Sequence, residues 1–174
     1  MALWRRPRGT GEDPLDAALV DRVRAILALG GMAHADLPDG VQQVRLKLIQ
    51  ARAKEGGAPR DTAAWCAVVA SNVAADWHRA RRRKERLDER LIALRPWETV
   101  QRGGEEASAL ALTVAEGLEA LPLEQRQVVV LRFYADLPLA RIAEALEIPE
   151  GTVKSRLHTA MRAMRKRLRA EEVV

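Results

Sequence analysis

Residues 118–168 read LEALPLEQRQVVVLRFYADLPLARIAEALEIPEGTVKSRLHTAMRAMRKRL, and this stretch decides the fold of the 174-residue chain. Ile142, Ala143 and Leu146 mark a short helix after Pro138, since proline is tolerated in the first turn of a helix. The sequence Ile148-Pro149-Glu150-Gly151 is a tight turn that leads into a longer amphipathic helix. We therefore expect short helices of which the last two are joined by this turn.

The last of these helices has one apolar stripe and a strongly basic remainder. At 100° per residue the inward stripe consists of Val153, Leu157, Met161, Met164 and Leu168. Seven cationic residues and no acid lie between residues 152 and 169, a local charge of +7: Lys154, Arg156, Arg162, Arg165, Lys166, Arg167 and Arg169. Such a positive electrostatic field attracts a polyphosphate. A short helix, a turn and a basic helix are also the layout of a helix-turn-helix DNA-binding motif.

A basic amphipathic helix considered alone has other uses. It is as often a solvated surface, or it lies on a membrane or binds a partner protein. The short helix and the tight turn that precede it favour DNA over these alternatives.

The composition favours an all-α fold. Hydrophobic residues make up 48% of the chain but aromatic residues only 3%, so alanine and leucine carry most of the packing, which favours helices over sheets. The formal net charge is +5, and the lysines and arginines concentrate in two runs. Two basic runs predict two contacts with nucleic acid.

The same composition argues against several classes of site. Cys66 is the only cysteine, and three scattered histidines give no metal-ligand spacing, so we expect no disulfide, no metal and no cofactor. The opening MALWRRPRGTGEDP has no apolar segment typical of export, and nowhere are there 18 consecutive apolar residues. We expect a cytoplasmic protein without direct membrane insertion and without a small-molecule substrate.

The chain divides into two small helical domains joined by a flexible linker. Residues 1–13 are predicted to be a disordered tail, 14–86 the first domain, 87–108 the linker and 109–174 the second domain. Asp13 and Pro14 are expected to cap and start the first helix, which ends at Gly30-Gly31. Further helices are predicted over residues 36–54, 61–86, 109–120, 123–134, 139–146 and 149–170.

The second helix carries a mixed polar and apolar outer face. Leu37, Val41, Val44 and Leu48 form its inward stripe, whereas Asp39, Gln42, Gln43 and Leu46 share the other side with Gln50. An apolar side chain among amides is a candidate contact for a protein partner. Single exposed leucines are common, however, so the residues alone favour no partner.

The third helix has polar residues on a stripe that is expected to face inward. Trp65, Val69, Asn72 and Asp76 follow helical spacing, and buried polar groups need partners. Asn72 and Asp76 could satisfy each other or a helix end, or they could contact nucleic acid, and the pattern leaves both open. Trp65 is expected to be core. Trp77 lies off the stripe and either stacks on a base or braces the helix.

Two sets of residues are placed to contact nucleic acid. The third helix ends in a basic run suited to phosphates, offset only by Glu85: Arg79, Arg81, Arg82, Arg83, Lys84 and Arg86. In the last helix Lys154, Ser155, His158 and Thr159 are placed to reach base edges, because a recognition helix enters the major groove by its amino-terminal half. Arg156 and Arg162 flank them, and Arg156 is expected to hold phosphate.

These residues resemble a known family. Residues 120–168 are similar to the carboxy-terminal domain of bacterial sigma factors of the extracytoplasmic-function (ECF) group, with GTVKSRL, residues 151–157, as the most specific core. DGVQQVRLKL, residues 39–48, resembles the helix with which those factors grip RNA polymerase. AAWCAVVASNVAADWHRARRRK, residues 63–84, resembles their promoter-melting segment. The family usually has Glu at the position of Gln43, an aromatic at Arg45, and Arg at Thr159 and Met161.

The resemblance implies an alternative sigma factor rather than an enzyme. Its expected partners are core RNA polymerase, promoter DNA and, as a further candidate, an anti-sigma protein. Polymerase would bind Asp39, Gln42, Gln43 and Leu46. The minus-10 element would meet Asn72, Trp77, Arg79, Arg81, Arg82 and Arg83. The minus-35 element would meet Lys154, Ser155, Arg156, His158, Thr159 and Arg162.

Two other classes of protein fit the sequence less well. A helix-turn-helix transcriptional regulator without a sigma role would share the last two helices, but it would need neither residues 39–48 nor residues 63–84. A nucleic-acid-processing enzyme with a carboxylate-metal site needs clustered acids. The acids of this chain are dispersed along helices among basic residues, which argues against such an enzyme.

Overall fold

A computed structural model describes residues 13–54, 59–91 and 109–171 of the chain, and all its regular structure is helical. The first half contains α1 (Ala17–Leu29), a 3-10 turn (His34–Asp36), α2 (Leu37–Ala53) and α3 (Thr62–Leu91). The second half contains α4 (Ala109–Glu119), α5 (Leu123–Val129), a π-helical segment (Val130–Tyr134), α6 (Leu139–Leu146) and α7 (Glu150–Glu171). The all-α prediction is confirmed, while the predicted tail and most of the predicted linker lie outside the described residues.

The start of α1 differs from the prediction. Asp16, not Asp13, caps the helix, because its carboxylate accepts a 2.8 Å hydrogen bond from the Leu19 amide. Asp13 instead accepts from the Leu15 amide at 3.0 Å and forms a 2.6 Å ion pair with Arg45. The carboxylate of Asp13 therefore holds the segment before α1 against α2.

The inward stripe predicted for α2 is confirmed, whereas that of α3 is wrong. Leu37, Val41, Val44 and Leu48 are buried. In α3 the buried positions are mostly small: Cys66, Ala67, Ala70, Ser71, Val73, Ala74 and Ala75. Trp65, Val69 and Asn72 lie half-buried at the edge of this face, and Asp76 is exposed. Small residues let α1 and α2 approach α3 closely. A pattern of large apolar residues therefore does not predict which face of α3 is buried. The helix also runs five residues past the predicted end at Arg86.

The second half contains the predicted helix-turn-helix. Helix α6 ends at Leu146, and the φ of 54° and ψ of 41° of the capping residue Glu147 lie in the left-handed region. The Ile148 amide then donates to the Ala143 carbonyl at 3.0 Å, which closes the helix end. Ile142 of α6 and Val153 of α7 are fully buried, so the two helices share one apolar contact. The predicted helix over residues 123–134 divides into α5 and the π-helical segment.

The two halves of the described chain also pack on each other. One continuous apolar cluster includes Val23 and Ala70 from the first half and Val130, Leu131 and Ile142 from the second. A smaller cluster of Leu118, Leu121, Val129 and Ala160 holds α4, α5 and α7 together. Among the described residues no helix has the length and apolar character to cross a membrane.

Candidate nucleic-acid interface

The amino-terminal half of α7 presents a basic face to solvent. Val153 and Ala160 are fully buried and anchor the helix against α5 and α6. Four of the six residues predicted for the minus-35 element are exposed and two are half-buried. The exposed ones are Lys154, Ser155, His158 and Arg162, and the half-buried ones are Arg156 and Thr159. Helix α7 therefore presents a cationic surface that no other described residue covers.

One acidic residue reduces the positive charge of this face. The Glu150 carboxylate, in the first turn of α7, lies 2.8 Å from the Lys154 ammonium, and both side chains are largely exposed. An exposed pair of this kind is worth about 0–1 kcal/mol, so it breaks easily when a stronger partner arrives. The Lys154 ammonium is therefore exposed and only weakly held by Glu150.

A wide depression of about 670 Å³ lies along the same helix. Leu157 and Met161 form its apolar part, and the cationic side chains Arg162, Arg165 and Lys166 border it together with His158. The sequence placed Met161 on the inward stripe, but the structure shows it half-buried at this surface.

The carboxy-terminal part of α3 forms a second basic surface. Arg79, Arg81, Arg82 and Arg83 are all exposed. Asp76 pairs with Arg79 at 2.9 Å and does not contact Asn72, so the suggested Asn72–Asp76 pair is wrong. In α3 Asp76 and Arg79 stand three residues apart, which places them one above the other on the helix surface.

Trp77 lies half-buried beside this basic run. Its ring meets the His78 ring edge-on at a centroid distance of 5.0 Å, and the Arg81 guanidinium carbon lies 5.3 Å from its centre. These contacts are of the cation-π and edge-to-face kinds. Both contacts lie within α3, and they leave part of the indole exposed.

Asn72, the remaining residue predicted for the minus-10 element, has a partner in the other half of the chain. Its Oδ1 accepts a 2.8 Å hydrogen bond from Nε2 of Gln127 on α5. Its side chain is half-buried there.

The outer face of α2 is larger than the sequence indicated. Asp39, Gln42 and Gln43 are exposed, and Leu46 is 55% exposed. Ile49, which was not predicted, is 48% exposed and follows Leu46 by three residues, so the two form one apolar patch. The helical spacing from Asp39 through Gln42 and Leu46 to Ile49 was the signal that could have identified it. Arg45, by contrast, is turned toward Asp13.

Arg126 on α5 is a buried charged residue. The sequence did not predict a role for it. Its Nη2 donates to the Glu119 carbonyl at 2.5 Å and to the Leu121 carbonyl at 3.5 Å, and its Nη1 donates to the Gly30 carbonyl at 3.3 Å. Burial lowers the pKa of this guanidinium. The Gly30 carbonyl also faces Nε2 of His78 at 3.0 Å, and burial together with the charge of Arg126 lowers the pKa of His78.

No cluster of histidine, cysteine or acidic residues in the described part of the chain has the geometry of a metal site.

The carboxy-terminal half matches the family Sigma-70, region 4 over residues 117–166. Over the longer span of 162 residues, the chain is 33% identical to the ECF RNA polymerase sigma factor SigL of Mycobacterium tuberculosis, a match that covers 88% of this chain and 89% of that protein. This chain belongs to the ECF sigma factor family. The RNA polymerase sigma-E factor of Streptomyces antibioticus is 27% identical over 175 residues, covering 99% of this chain and 81% of the relative.

A solved structure has the same fold as this ECF sigma factor. It is the sigma factor RpoE of Bartonella quintana in complex with the anti-sigma factor NepR, with a TM-score of 0.64 and 18% identity over 87% of this chain and 92% of RpoE. The region 4 match begins at Gly117 near the end of α4 and includes α5, α6 and most of α7. In this ECF sigma factor the helix-turn-helix therefore lies inside the matched region.

Proposed function

We propose that this chain is an alternative sigma factor that binds core RNA polymerase and directs it to a specific set of promoters. The exposed basic face of α7, held in a helix-turn-helix, is the observation that carries the proposal. Its position suits insertion into the major groove of the minus-35 element, where Lys154, Ser155, His158 and Thr159 reach base edges and Arg156 and Arg162 hold the backbone.

The first half of the chain would supply the other two contacts. The α2 face of Asp39, Gln42, Gln43, Leu46 and Ile49 combines exposed amides with an apolar patch, as protein-binding surfaces often do. The α3 surface of Arg79, Arg81, Arg82 and Arg83 carries the charge that phosphates of the minus-10 element require, with Trp77 beside it for base stacking. Asn72 belongs to the same set once its amide is free.

The protein itself would perform no catalysis. Bond formation would stay with the polymerase, and the sigma factor would supply only positioning and strand capture. We further propose that it acts in the cytoplasm, where the polymerase is, and that an anti-sigma protein is a third partner, as one is for RpoE of Bartonella quintana.

Run-off transcription with core polymerase and a library of genomic promoters tests this function. A sigma factor converts core enzyme into an enzyme that starts at defined promoters. The second candidate, a helix-turn-helix regulator without a sigma role, would bind duplex DNA but leave core enzyme unable to initiate. Specific transcripts from purified core plus this protein support the proposal. DNA binding without such transcripts contradicts it.

A further inference from the structure

The basic face of α7 contains one acidic residue, at the amino-terminal end of the helix. Glu150 is the first residue of α7, and no other acid follows it before Glu171. Its carboxylate lies 2.8 Å from the ammonium of Lys154, one helical turn later. A surface that only attracted phosphates would be weakened by this negative charge. The carboxylate favours DNA binding only where the DNA offers it a hydrogen-bond donor.

Glu150 has two local roles, and neither uses the whole carboxylate. An acid in the first turn of a helix stabilises it through the helix dipole, and the ion pair restricts the position of Lys154. The side chains of Glu150 and Lys154 are nevertheless 45% and 61% exposed. An ionised carboxylate has about four acceptor positions, so the ion pair leaves Glu150 able to accept a further hydrogen bond from DNA.

The major groove offers a carboxylate few partners. Cytosine N4 and adenine N6 are donors there, whereas guanine N7 and O6, adenine N7 and thymine O4 are acceptors. Since a carboxylate only accepts, the two amino groups attract Glu150, and the other base edges and the phosphates repel it. The Lys154 ammonium only donates, so it has the opposite preference.

The two side chains together match the edge of one G·C pair. In that pair guanine O6 accepts a hydrogen bond from cytosine N4, so these two atoms lie about 2.9 Å apart. The Lys154 nitrogen and the Glu150 oxygen lie 2.8 Å apart, and they are a donor and an acceptor. Side chains that already have this separation lose less conformational freedom when they meet the base edges.

From this match we propose that Glu150 is a specificity-determining residue of the minus-35 contact. Its carboxylate accepts a hydrogen bond from N4 of a cytosine, while Lys154 donates to O6 and N7 of the guanine paired with that cytosine. This inference rests on the proposed function, because it names the base pair that the first turns of α7 recognise. The ion pair between the two side chains persists in the complex and recognises the G·C pair as a unit.

The other three base pairs fit this arrangement less well. A T·A pair also has an acceptor beside a donor, but thymine has a methyl group on the side where guanine has N7. The reversed C·G and A·T pairs place an amino group at Lys154 and an acceptor at Glu150. Repulsion of this kind produces specificity at the expense of affinity. Glu150 therefore lowers affinity for most sequences and raises the preference for one.

Duplex binding by the full-length protein tests the proposal. Short duplexes enriched by the parent protein from a random pool supply the minus-35 element, and each of its G·C pairs is then changed in turn. In one set 2-pyrimidinone replaces the cytosine, which deletes the N4 amino group alone. In a second set 7-deazaguanine replaces the guanine, which deletes the N7 acceptor. Fluorescence anisotropy measures the affinity of the protein alone and of its complex with core polymerase.

One G·C pair of the element should depend on Glu150. Loss of the N4 amino group at that pair should weaken binding by the parent by roughly five- to hundredfold, the range for one base contact. Loss of N7 at the same pair should weaken it through Lys154. Glu150→Ala should lose most of the sensitivity to N4. Glu150→Gln, which keeps an acceptor without the charge, should bind all duplexes more tightly and discriminate less among them.

Glu144→Gln on α6 is the matched control. Glu144 is exposed and lies 2.8 Å from Arg141, so this variant makes the same change in an exposed ion pair outside the basic face of α7. It should keep the sensitivity of the parent to the N4 amino group.

A double variant separates a direct contact from an indirect one. In the Lys154→Ala background, Glu150→Ala should still reduce the sensitivity to the N4 amino group. If it has no further effect there, Glu150 acts only by holding Lys154, and the proposed contact with cytosine is wrong.

Three further outcomes overturn the proposal: an unchanged sensitivity to N4 in Glu150→Ala, a parent that is insensitive to N4 at every pair, and a parent that enriches no sequence from the pool. These outcomes are distinct from failure of the proposed function. Specific transcripts from core polymerase together with unchanged N4 sensitivity in Glu150→Ala contradict this inference alone. Loss of N4 sensitivity in Glu150→Ala, without specific transcripts from the parent, contradicts the proposed function alone.

Discussion

Nε2 of Gln127 lies 2.8 Å from Oδ1 of Asn72 and donates a hydrogen bond to it, although the two residues are 55 positions apart. Asn72 stands in the segment that resembles the promoter-melting part of ECF sigma factors, and Gln127 precedes the helix-turn-helix. The bond therefore connects the two proposed DNA-binding parts of the chain. It gives the half-buried Asn72 amide oxygen a partner from the other half of the chain.

The first prediction concerns polymerase docking. Replacing Leu46 or Ile49 with Glu should weaken binding to core enzyme by about 1–3 kcal/mol, because a charge replaces an apolar contact at the centre of the α2 face. Pull-down of core enzyme at graded concentrations measures the effect. Ala18→Glu, which adds the same charge on exposed α1, serves as the control and should bind normally. Equal loss in both variants would show that charge, not the α2 face, is responsible.

The second prediction concerns sequence reading by α7. Lys154→Ala or Ser155→Ala should change the order in which minus-35 sequences are preferred. Loss of a bidentate base contact changes the binding free energy by about 1–3 kcal/mol. Arg165→Ala should weaken all sequences alike and reduce the salt dependence. Glu150→Gln, which frees Lys154 from its ion pair, should strengthen binding. Fluorescence anisotropy with a panel of duplexes measures each, and unchanged ranking in the Lys154 and Ser155 variants would limit them to phosphate contacts.

The third prediction concerns the minus-10 element. Neutralising Arg81, Arg82 and Arg83 together as glutamines should reduce permanganate reactivity of minus-10 thymines, because phosphates of the opened region lose their cationic surface. Arg24→Gln, on the exposed side of α1, is a control that also removes a positive charge. The triple variant should keep its affinity for core enzyme. If it opens promoters as well as the parent, this surface does not contact the minus-10 region.

The fourth prediction concerns the stability that Arg126 provides. Arg126→Ala removes the donors that serve the Glu119 and Leu121 carbonyls at the end of α4. The Leu121 carbonyl is buried. Leaving a buried carbonyl without a donor costs about 1–3 kcal/mol, so the free energy of unfolding in urea should fall by that order. Arg141→Ala is the control: Arg141 is exposed and paired with Glu144, and its loss should cost about 0–1 kcal/mol. Equal effects would show that the buried contacts add nothing.

The fifth prediction concerns pH and His78. Burial and then the charge of Arg126 lower the pKa of His78 below its ordinary 6.5, and together with Arg82 and Arg81 they outweigh the hydrogen bond to Gly30, which raises it. As the pH falls below 6.5 the unfolded chain takes up this proton before the folded chain does. Stability should therefore be fully present above that pH and decrease on acidification through the lowered pKa.

His78→Gln isolates this effect. Glutamine keeps a donor for the Gly30 carbonyl but does not titrate. Urea unfolding of parent and variant between about pH 5 and pH 8 should show that the difference in their free energies of unfolding changes on the acid side. A constant difference across this range would rule out a contribution from His78.

Much of the local structure followed from the sequence. Helical spacing predicted α2 with its buried Val41, Val44 and Leu48, and the Ile148-Pro149-Glu150-Gly151 turn predicted the boundary between α6 and α7. Local signals sufficed in these cases because large apolar residues at period 3.6 and a proline after a helix end act within a few residues. The exposed basic face of α7 was predicted for the same reason.

Other features depended on contacts between distant residues. The buried face of α3 consists of small residues, which are chosen by how closely α1 and α2 approach and not by hydrophobicity. The choice of Asp16 over Asp13 as the cap of α1 also followed from a distant partner, Arg45.

What the sequence alone determined is therefore the set of helices, the helix-turn-helix and the charge that its last helix presents, since each depends on neighbours along the chain. The tertiary structure alone decided where Arg126 and Gln127 lie. Nothing within α5 distinguishes these two from ordinary polar helix residues. Their partners, the Gly30 carbonyl and the Asn72 amide, come from the other half of the chain, and only folding brings those atoms within hydrogen-bonding distance.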